Sequence, residues 1–358
     1  MISVLIDGYF INKPRGLGRY VQELIYSLTN YADGVQVNIA IPYNTKIEHY
    51  NWNGKVKYHY LPSVPFPVWE QIFLPFLAKN LDPDIVHFPY NTKPLIYNLI
   101  SHPHVVTLHD VMFLDSKHTV KGIYQKIGNF YRKVIVKNMR GSHQTIVTVS
   151  NHSALEIKEK LNQSSLVVYT SSSFLINHAH VEKKRLIEQP YLFHVGGISP
   201  HKNTRRCIEA FIQSNLRSYS LVVSGVPKDS DLVKEYESDN IYFTGWINDH
   251  QMLNLYMNAQ AVVFPSLREG YGLPIIEAFA CNTPIITSNL DPMKEISGDA
   301  AILVDPYDIA DIASAIIRVA SNDKLRSELI RKGQQRIQEI SPKIMADKMM
   351  SIYRSVLE

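Results

Sequence analysis

The amino-acid sequence predicts an α/β protein built from two Rossmann-like domains. Near the N-terminus, an apolar run at Ile2–Ile6 is followed by a glycine loop and by apolar residues at helical spacing from Val21 to Leu28. A second succession of strand, glycine loop, helix and strand occupies residues 261–287. Chains that alternate strands and helices form parallel sheets, and a polar stretch without strand pattern separates the two modules. We therefore expect a first domain, a linker and a second domain at residues 1–172, 173–190 and 191–342.

Composition places the chain among ordinary globular proteins. Its 358 residues, 45% hydrophobic and 20% charged, suffice for two cores. The net charge of +4 is too small to indicate a nucleic-acid partner. No apolar run reaches the ~20 residues of a membrane helix, and the N-terminus lacks the basic region of a signal peptide, so we expect a cytoplasmic protein. Cys207 and Cys281 are expected to be buried free thiols.

The first half of the chain alternates predicted strands with helices. After two prolines, a helix is expected over residues 63–78, packed on the core through its large apolar side chains; a groove for a lipid carrier is the alternative. Asp82 and Asp84 have the D-x-D spacing of metal sites, but they precede a strand and are assigned to a turn. The side chains expected to face the core from this helix are Phe66, Trp69, Phe73, Leu74 and Phe76.

A basic segment follows. No acidic residue lies between Asp115 and Glu156, and aromatic residues are interleaved with the cations. This pattern fits either a solvated helix face or a patch that contacts anionic lipid headgroups or a diphosphate-linked acceptor, each nearby cation contributing ~1 kcal/mol. The basic residues are Lys117, Lys121, Lys126, Arg132, Lys133, Lys137 and Arg140.

Residues 261–289 contain the strongest candidate site. The apolar strand Ala261–Phe264 leads into a loop with two glycines, which allow close backbone approach to a ligand. Pro274 fits the first turn of the helix that follows, and the N-terminus of that helix favours an anion. Glu269 lies in the loop, whereas Glu277 lies about one turn inside the apolar helix and therefore needs a partner.

Glu269 and Glu277, with Gly-Tyr-Gly-Leu-Pro between them, resemble the signature of retaining glycosyltransferases of family four, which have the GT-B fold. The resemblance implies two Rossmann-like domains facing each other across a cleft, with a C-terminal helix at 343–358 returning to the first domain. It implies that the first domain, 1–172, binds the acceptor and that the second, 191–342, binds the nucleotide-sugar donor. It implies that Glu269 contacts the hydroxyls of a donor sugar and that Glu277 holds a nucleotide ribose. The loop residues implied to hold the diphosphate are Gly270, Tyr271, Gly272 and Leu273.

The start of the second domain also resembles this family. A strand at 191–195 is followed by a turn similar to the family's G-x-x-x-P-x-K-N, in which Lys202 is implied to neutralise the donor phosphate. The second cation of this turn is missing from its usual positions, and Arg205 or Arg206 is expected to substitute. The donor-binding residues implied elsewhere are Gly16, Gly197, Arg206, Gly245 and Trp246.

One histidine completes the set of implied catalytic residues. The strand at 105–108 ends at His109-Asp110, and carboxyl ends of strands carry ligand groups in open α/β sheets. In the family, a histidine in this context lines the donor sugar site. The N-terminal glycine loop lacks the full dinucleotide fingerprint but loosely matches the family at Gly16, Gly18 and Arg19. The catalytic set is thus Glu269, His109 and Lys202.

The resemblance implies a retaining, metal-independent transferase without a cofactor. We expect it to move a hexose from a GDP-mannose or UDP-glucose type of donor to a lipid-linked or saccharide acceptor in surface polysaccharide synthesis. Trp69-Glu70-Gln71 and residues 84–89 resemble bacterial mannosyltransferase-like members. A nucleotide-sugar epimerase of the same architecture and a noncatalytic partner subunit are the alternatives. The expected location is cytoplasmic, with peripheral contact at the inner face of an anionic membrane and no nucleic acid bound.

Overall fold

The computed structural model describes residues 1–13, 16–46, 52, 56–95, 102–115, 123–139, 144–172 and 187–358. The chain divides into two compact units, which are Met1–Ser171 with Ser341–Glu358, and Ser172–Ile340. The linker expected at 173–190 lies outside the described residues except for its last four positions. In the described ranges, no helix is both long and apolar enough to cross a bilayer.

The first unit contains a parallel sheet whose seven described strands have the order β3-β2-β1-β4-β5-β6-β7. Apolar side chains cover both of its faces, as in sheets enclosed by helices. The strand order reverses between β1 and β4, which are paired neighbours. The strands are β1 (Ile2–Asp7), β2 (Val35–Pro42), β3 (Val56–Leu61), β4 (Ile85–Phe88), β5 (His104–Thr107), β6 (Gln144–Thr148) and β7 (Leu166–Val167).

Helices connect these strands, and the helix expected at 63–78 differs from the prediction. A π-helical turn at Trp69–Phe73 interrupts it. The extra residue of a π turn rotates the following residues by about 100°. Trp69 and Leu74 are therefore buried, whereas Phe76, expected in the core, is 66% exposed. The described helices are α1 (Leu17–Tyr31), α2 (Phe66–Val68), α3 (Leu74–Leu81), α4 (Ile123–Lys137) and α5 (Asn151–Leu161), with a short 3-10 turn at Met112–Leu114.

The C-terminal helix belongs to the first unit, as the resemblance implied. This helix, the last of the chain, spans Pro342–Leu357 and packs against α1. Its buried face includes Met345, Met349 and Tyr353. The Tyr353 hydroxyl lies 2.7 Å from Nδ1 of His87 on β4. The helix therefore closes one face of the first sheet.

The second unit contains a parallel sheet with the order β10-β9-β8-β11-β12-β13. Its strand order reverses between β8 and β11, and ligands of doubly wound sheets bind at such a reversal, beyond the carboxyl ends of the strands. Both cysteines lie buried and free in this unit, as predicted. The strands are β8 (Tyr191–Val195), β9 (Ser220–Ser224), β10 (Ile241–Gly245), β11 (Ala261–Phe264), β12 (Ile285–Ser288) and β13 (Ile302–Val304).

The helices of the second unit follow the predicted pattern. The amphipathic helices expected at 308–320 and 323–340 are observed at Ile309–Ser321 and Asp323–Glu339. In chain order the described helices are α6 (Thr204–Gln213), α7 (Asp231–Tyr236), α8 (Asp249–Asn258), α9 (Leu273–Ala280), α10 (Met293–Ser297), α11 (Ile309–Ser321), α12 (Asp323–Glu339) and α13 (Pro342–Leu357), the last belonging to the first unit.

Candidate functional site

The predicted donor residues of the second unit lie in loops at the carboxyl edge of its sheet. β8 and β11 are paired in parallel, so the loops that follow them, residues 196–203 and 265–272, emerge side by side. Asn203, at φ +57, joins the two loops: its Nδ2 donates to Pro265 O at 2.9 Å. The His201 carbonyl accepts from Leu267 N at 2.7 Å. These bonds hold the lysine turn and the glycine loop together.

Lys202 and Glu269 form an ion pair at this junction. Lys202 Nζ lies 2.8 Å from Glu269 Oε1, and the side chains are 24% and 15% exposed. Ser266 Oγ donates to the same carboxylate oxygen at 2.6 Å. The pair is thus partly shielded from water but open to a ligand. Sequence reasoning missed Ser266, although it lies three positions before Glu269 in the same loop.

Glu277 is held by a residue that sequence reasoning did not single out. The hydroxyl of buried Tyr256, on α8, donates to Glu277 Oε2 at 2.8 Å. No donor in the described part of the chain reaches the second carboxylate oxygen, Oε1. The partner that a carboxylate in this apolar helix requires is therefore Tyr256, which engages one of its two oxygens. No local signal in α8 indicates this contact, which joins residues 21 positions apart.

The N-terminus of α9 lies directly beyond the glycine loop. Gly272 precedes the helix at φ +107, a conformation essentially restricted to glycine. It provides no capping side chain, and Pro274 follows at the second position of the helix. The first-turn N–H groups and the helix dipole therefore favour an anion at this point. Tyr271 is buried against the unit, whereas Gly270 and Leu273 are partly exposed.

The two candidates for the second cation have different surroundings. Arg205 makes a two-pronged pair with Glu235, with NH1–Oε1 and NH2–Oε2 distances of 2.6 and 2.8 Å, at the surface. Arg206 instead donates to Asn203 Oδ1 at 3.0 Å, one residue from Lys202. Its guanidinium also lies 5.8 Å from the Tyr307 ring centroid. Arg206 is thus the arginine that lies beside the lysine turn.

Three further predicted donor positions lie at the same edge. Thr204 Oγ1 donates to the Gly197 carbonyl at 2.8 Å and accepts from Gly197 N at 3.2 Å, which fixes the loop after β8. Gly245 ends β10, and its carbonyl accepts from Gly225 N at 2.9 Å. Trp246, which follows it, is 73% exposed. An exposed indole at a strand end presents a ring face on which a nucleotide base can stack.

Gly16 and His109 belong to the first unit. Gly16, at φ +59, precedes α1. The His109 ring meets Tyr20 of α1 edge-on at 4.6 Å, and His109 Nε2 donates to the Pro89 carbonyl at 2.8 Å. Desolvation lowers the pKa of His109 to about 4, so the ring is neutral at pH 7. Since Nε2 carries the proton, Nδ1 is a hydrogen-bond acceptor.

The D-x-D sequence forms a turn, as expected. Asp82 ends α3 in the left-handed conformation and contacts His102 Nε2 at 2.9 Å. Asp84 accepts from Ser3 N at 2.7 Å. Across the described ranges, no group of three or more His, Cys, Asp or Glu side chains has the arrangement of a metal site.

Solved structures define the class of fold. The chain resembles sucrose-phosphate synthase from Thermosynechococcus elongatus with a TM-score of 0.73 and 17% identity, over 99% of both chains. It resembles HepE from Anabaena, solved with UDP and glucose, with a TM-score of 0.73 and 16% identity, over 99% of this chain and 100% of that one. At these identities the likeness establishes the fold alone, and that fold is GT-B.

Sequence comparisons then identify the family. The model described as Glycosyltransferase Family 4 matches residues 14–169, and the one described as Glycosyl transferases group 1 matches residues 176–336. The chain belongs to glycosyltransferase family four. It is 29% identical to O-antigen chain mannosyltransferase B of Escherichia coli over 257 residues, which are 66% of each chain. It is 29% identical to O-antigen chain mannosyltransferase RfbU of Salmonella typhimurium over 250 residues, 67% of this chain and 66% of that one. The chain thus spans 66% of the length of these relatives.

Proposed function

We propose that this protein is a retaining glycosyltransferase that moves a hexose from a nucleotide diphosphate sugar to a saccharide or lipid-linked acceptor in surface polysaccharide synthesis. The observation that carries this proposal is the Lys202–Glu269 pair beside the N-terminus of α9, with Glu277 one turn into that helix. One cation, one helix terminus and two carboxylates match one diphosphate, one sugar and one ribose. Family membership supports the same assignment.

In this proposal the diphosphate lies against Lys202 and the first turn of α9. Glu269 releases the lysine and accepts from hydroxyls of the donor sugar, while Glu277 Oε1 accepts from the ribose. The bond between the anomeric carbon and the β-phosphate oxygen breaks, and a bond to the acceptor oxygen forms on the same face. The acceptor proton passes to the departing phosphate oxygen. The protein contributes positioning and charge stabilisation.

His109 acts in this proposal as a neutral acceptor. Its Nδ1 accepts from a donor sugar hydroxyl. The Pro89 carbonyl accepts from its Nε2–H and the Asn91 side chain accepts from its backbone N–H, and these two bonds hold the histidine in place. Since its pKa is about 4, the ring undergoes no charge change near neutral pH. His109 therefore orients the sugar and does not transfer a proton.

We further propose mannose as the transferred hexose, because the curated relatives above are mannosyltransferases by name. The test is incubation of the protein with GDP-mannose and with UDP-glucose, alone and with mannose-containing acceptors, followed by product detection. Transfer to an acceptor with the anomeric configuration retained is the expected result. Isomerisation of the nucleotide sugar without an acceptor would contradict the proposal.

The reaction is proposed to need no metal ion. Lys202, Arg206 and the α9 terminus supply positive charge toward the phosphates. Turnover in the presence of EDTA is expected to equal turnover in its absence. Loss of activity on chelation, with recovery on addition of Mg²⁺ or Mn²⁺, would show that this phosphate site is incomplete.

Peripheral membrane contact is proposed through one face of α4. Lys126, Phe130, Lys133 and Lys137 share a face at helical spacing, and Phe130 is 70% exposed. Such a face suits an anionic interface. Sedimentation with vesicles containing anionic lipid should exceed that with neutral vesicles, and replacement of Lys126, Lys133 and Lys137 by Gln should abolish the difference. Equal sedimentation would contradict it. Of the four remaining cations of the predicted basic segment, Arg132 lies 5.4 Å from the Phe113 ring centroid, whereas Lys117, Lys121 and Arg140 lie outside the described residues.

A further inference from the structure

The carboxyl edge of the first sheet carries a cluster of aromatic rings around one carboxylate. β1 ends at Asp7, and Tyr90 follows β4, so both lie at the point where the strand order reverses. Open α/β sheets bind ligands at this point. The aromatic cluster is defined here as Tyr9, Phe10, Phe66, Trp69 and Tyr90. None of its members has a role in the donor site proposed above.

The rings contact one another but are not fully enclosed. The Phe66 centroid lies 5.2 Å from that of Tyr9 and 4.8 Å from that of Phe10. Trp69 and Tyr90 are buried, whereas Tyr9, Phe10 and Phe66 remain partly exposed. Exposed ring faces leave apolar surface in water, and its burial by a ligand is favourable. Trp69 and Tyr90 thus close the inner side of the cluster, and the accessible rings of Tyr9, Phe10 and Phe66 form an apolar platform on which a ligand can pack.

Asp7 adds a polar group to this platform. The side chain is 1% exposed, and its Oδ1 accepts from Tyr9 N and from Trp69 Nε1, each at 3.0 Å. Within the described part of the chain, no donor reaches Oδ2. A buried carboxylate needs hydrogen-bond partners in place of the water it has lost. Oδ2 is therefore a position for a donor brought by a ligand.

The neighbouring carboxylate does not compete for this role. Glu70 Oε1 accepts from Thr92 Oγ1 at 2.5 Å, and Oε2 accepts from Gln71 Nε2 at 3.1 Å and from the Tyr131 hydroxyl. Both oxygens are thus engaged by the protein. Glu70 is therefore fully hydrogen-bonded within the protein, whereas Asp7 is the neighbouring carboxyl whose second oxygen can bond to a ligand.

We propose that Asp7 and the aromatic cluster form a binding subsite for a neutral pyranose, and that its occupant is a sugar unit of the acceptor. A pyranose has a face of C–H groups that packs on aromatic rings and a rim of hydroxyls that donate to a carboxylate. A polyprenyl chain would use the rings but leave Asp7 without a donor. The assignment of the sugar to the acceptor rests on the proposed function, whereas saccharide binding itself does not.

The test is saturation-transfer NMR on the full chain with methyl α-mannopyranoside at about pH 9, where Asp7, whose pKa burial raises to about 7, is ionised. Phe66→Leu keeps apolar volume but removes the central ring face, and Phe76→Leu is the matched control at an exposed position of α3 outside the cluster. We expect binding to the wild type and the control, and roughly tenfold weaker binding to Phe66→Leu. Asp7→Asn should also weaken binding, because an amide NH₂ replaces Oδ2 while the retained oxygen still accepts from Tyr9 and Trp69.

Two results would overturn the subsite. They are equal saccharide binding by all four proteins, and no saccharide binding by the wild type. Farnesyl phosphate as a second probe distinguishes a lipid groove: its binding to the wild type and to Asp7→Asn alike, without saccharide binding, also overturns the proposal. Nucleotide-sugar turnover measured on the same samples separates the two hypotheses. Turnover without saccharide binding removes only the subsite, and saccharide binding without turnover removes only the proposed function.

Discussion

At the scale of single residues, the donor site depends on charges that the protein pairs with each other. The Lys202–Glu269 pair is 2.8 Å long and partly shielded, so each partner stabilises the other until a ligand separates them. Charge-assisted hydrogen bonds of this kind contribute ~1.5–3 kcal/mol. Substitution of either partner should therefore affect binding more than it affects folding.

Lys202→Met should weaken the binding of a nucleoside diphosphate by roughly ten- to a hundredfold, because one cation facing the diphosphate is removed. Isothermal calorimetry with GDP and UDP measures the effect. Arg205→Met is the matched control, since Arg205 is occupied by Glu235 at the surface. Unchanged affinity in Lys202→Met, or equal losses in both variants, would contradict the placement of the phosphates.

Glu269→Gln and Glu277→Gln should change nucleotide binding and turnover in different ways. Glu269 is proposed to contact only the sugar of the donor. Glu269→Gln should therefore bind the bare nucleoside diphosphate at least as well as the wild type, because Lys202 no longer has to leave a charged partner, but it should turn over the nucleotide sugar more slowly. Glu277→Gln should bind both compounds about ten- to a hundredfold more weakly, because the ribose loses a charged acceptor. Calorimetry and initial rates on both variants make the comparison. Identical losses would show that sugar and ribose are wrongly placed.

At the scale of elements, the glycine loop and α9 act together. Gly272 has φ +107, and an added Cβ would lie 3.1 Å from Ile275 Cδ1. The loop can reach the helix N-terminus in this geometry only because the residue has no side chain. The backbone conformation of Gly272 therefore determines the position of the first-turn N–H groups of α9, which form part of the proposed phosphate site.

Gly272→Ala should lower both stability and nucleotide affinity, because strain of ~1–3 kcal/mol shifts the loop. Gly34→Ala is the matched control: Gly34 also has positive φ, at +72, but its surroundings are open and it lies in the first unit. Thermal unfolding and nucleotide titration should show reduced stability in both variants and reduced affinity in Gly272→Ala alone. Retained affinity in Gly272→Ala would separate the loop from the site.

At the scale of the whole molecule, two buried carboxyls of the first unit should make stability depend on pH. Burial raises the pKa of Asp7 to about 7 and that of Glu70 to about 8, from 3.8 and 4.5. Between the ordinary and the raised pKa values of these two groups, the folded protein binds more protons than the unfolded chain does. The stabilising contribution of these two carboxyls is therefore fully present below their ordinary pKa values and is lost as the pH rises toward about 8.

Asp7→Asn should flatten this pH dependence, because its amide stays neutral. The variant should melt at a higher temperature than the wild type near pH 8, with a difference that shrinks toward pH 4, each pKa unit being equivalent to ~1.4 kcal/mol. Calorimetric melting across this range provides the measurement. A melting-temperature difference between Asp7→Asn and the wild type that stays constant over the same range would show that the pKa of Asp7 is not raised in the folded protein.

Local patterns in the sequence determined the class of fold and most elements. Apolar runs and helical spacing depend on neighbours in the chain, so the strand at 261–264 and the helix at 323–340 are confirmed to within a residue at each end. The glycine loops were predictable for the same reason. Phe76 was wrongly placed in the core, since the π turn at Trp69–Phe73 has no signature in the apolar spacing.

Only the tertiary structure decided which side chains meet. Lys202 and Glu269 are 67 residues apart, and Asp7 and Trp69 are 62 apart. Such contacts depend on which strands are neighbours in the sheet, and the order β8–β11 is set by packing of the whole unit. Burial of Asp7 and the bond from Tyr256 to Glu277 arise in the same way. The sequence by itself thus determined which residues are candidates, and the packed sheets decided their partners, exposure and charge.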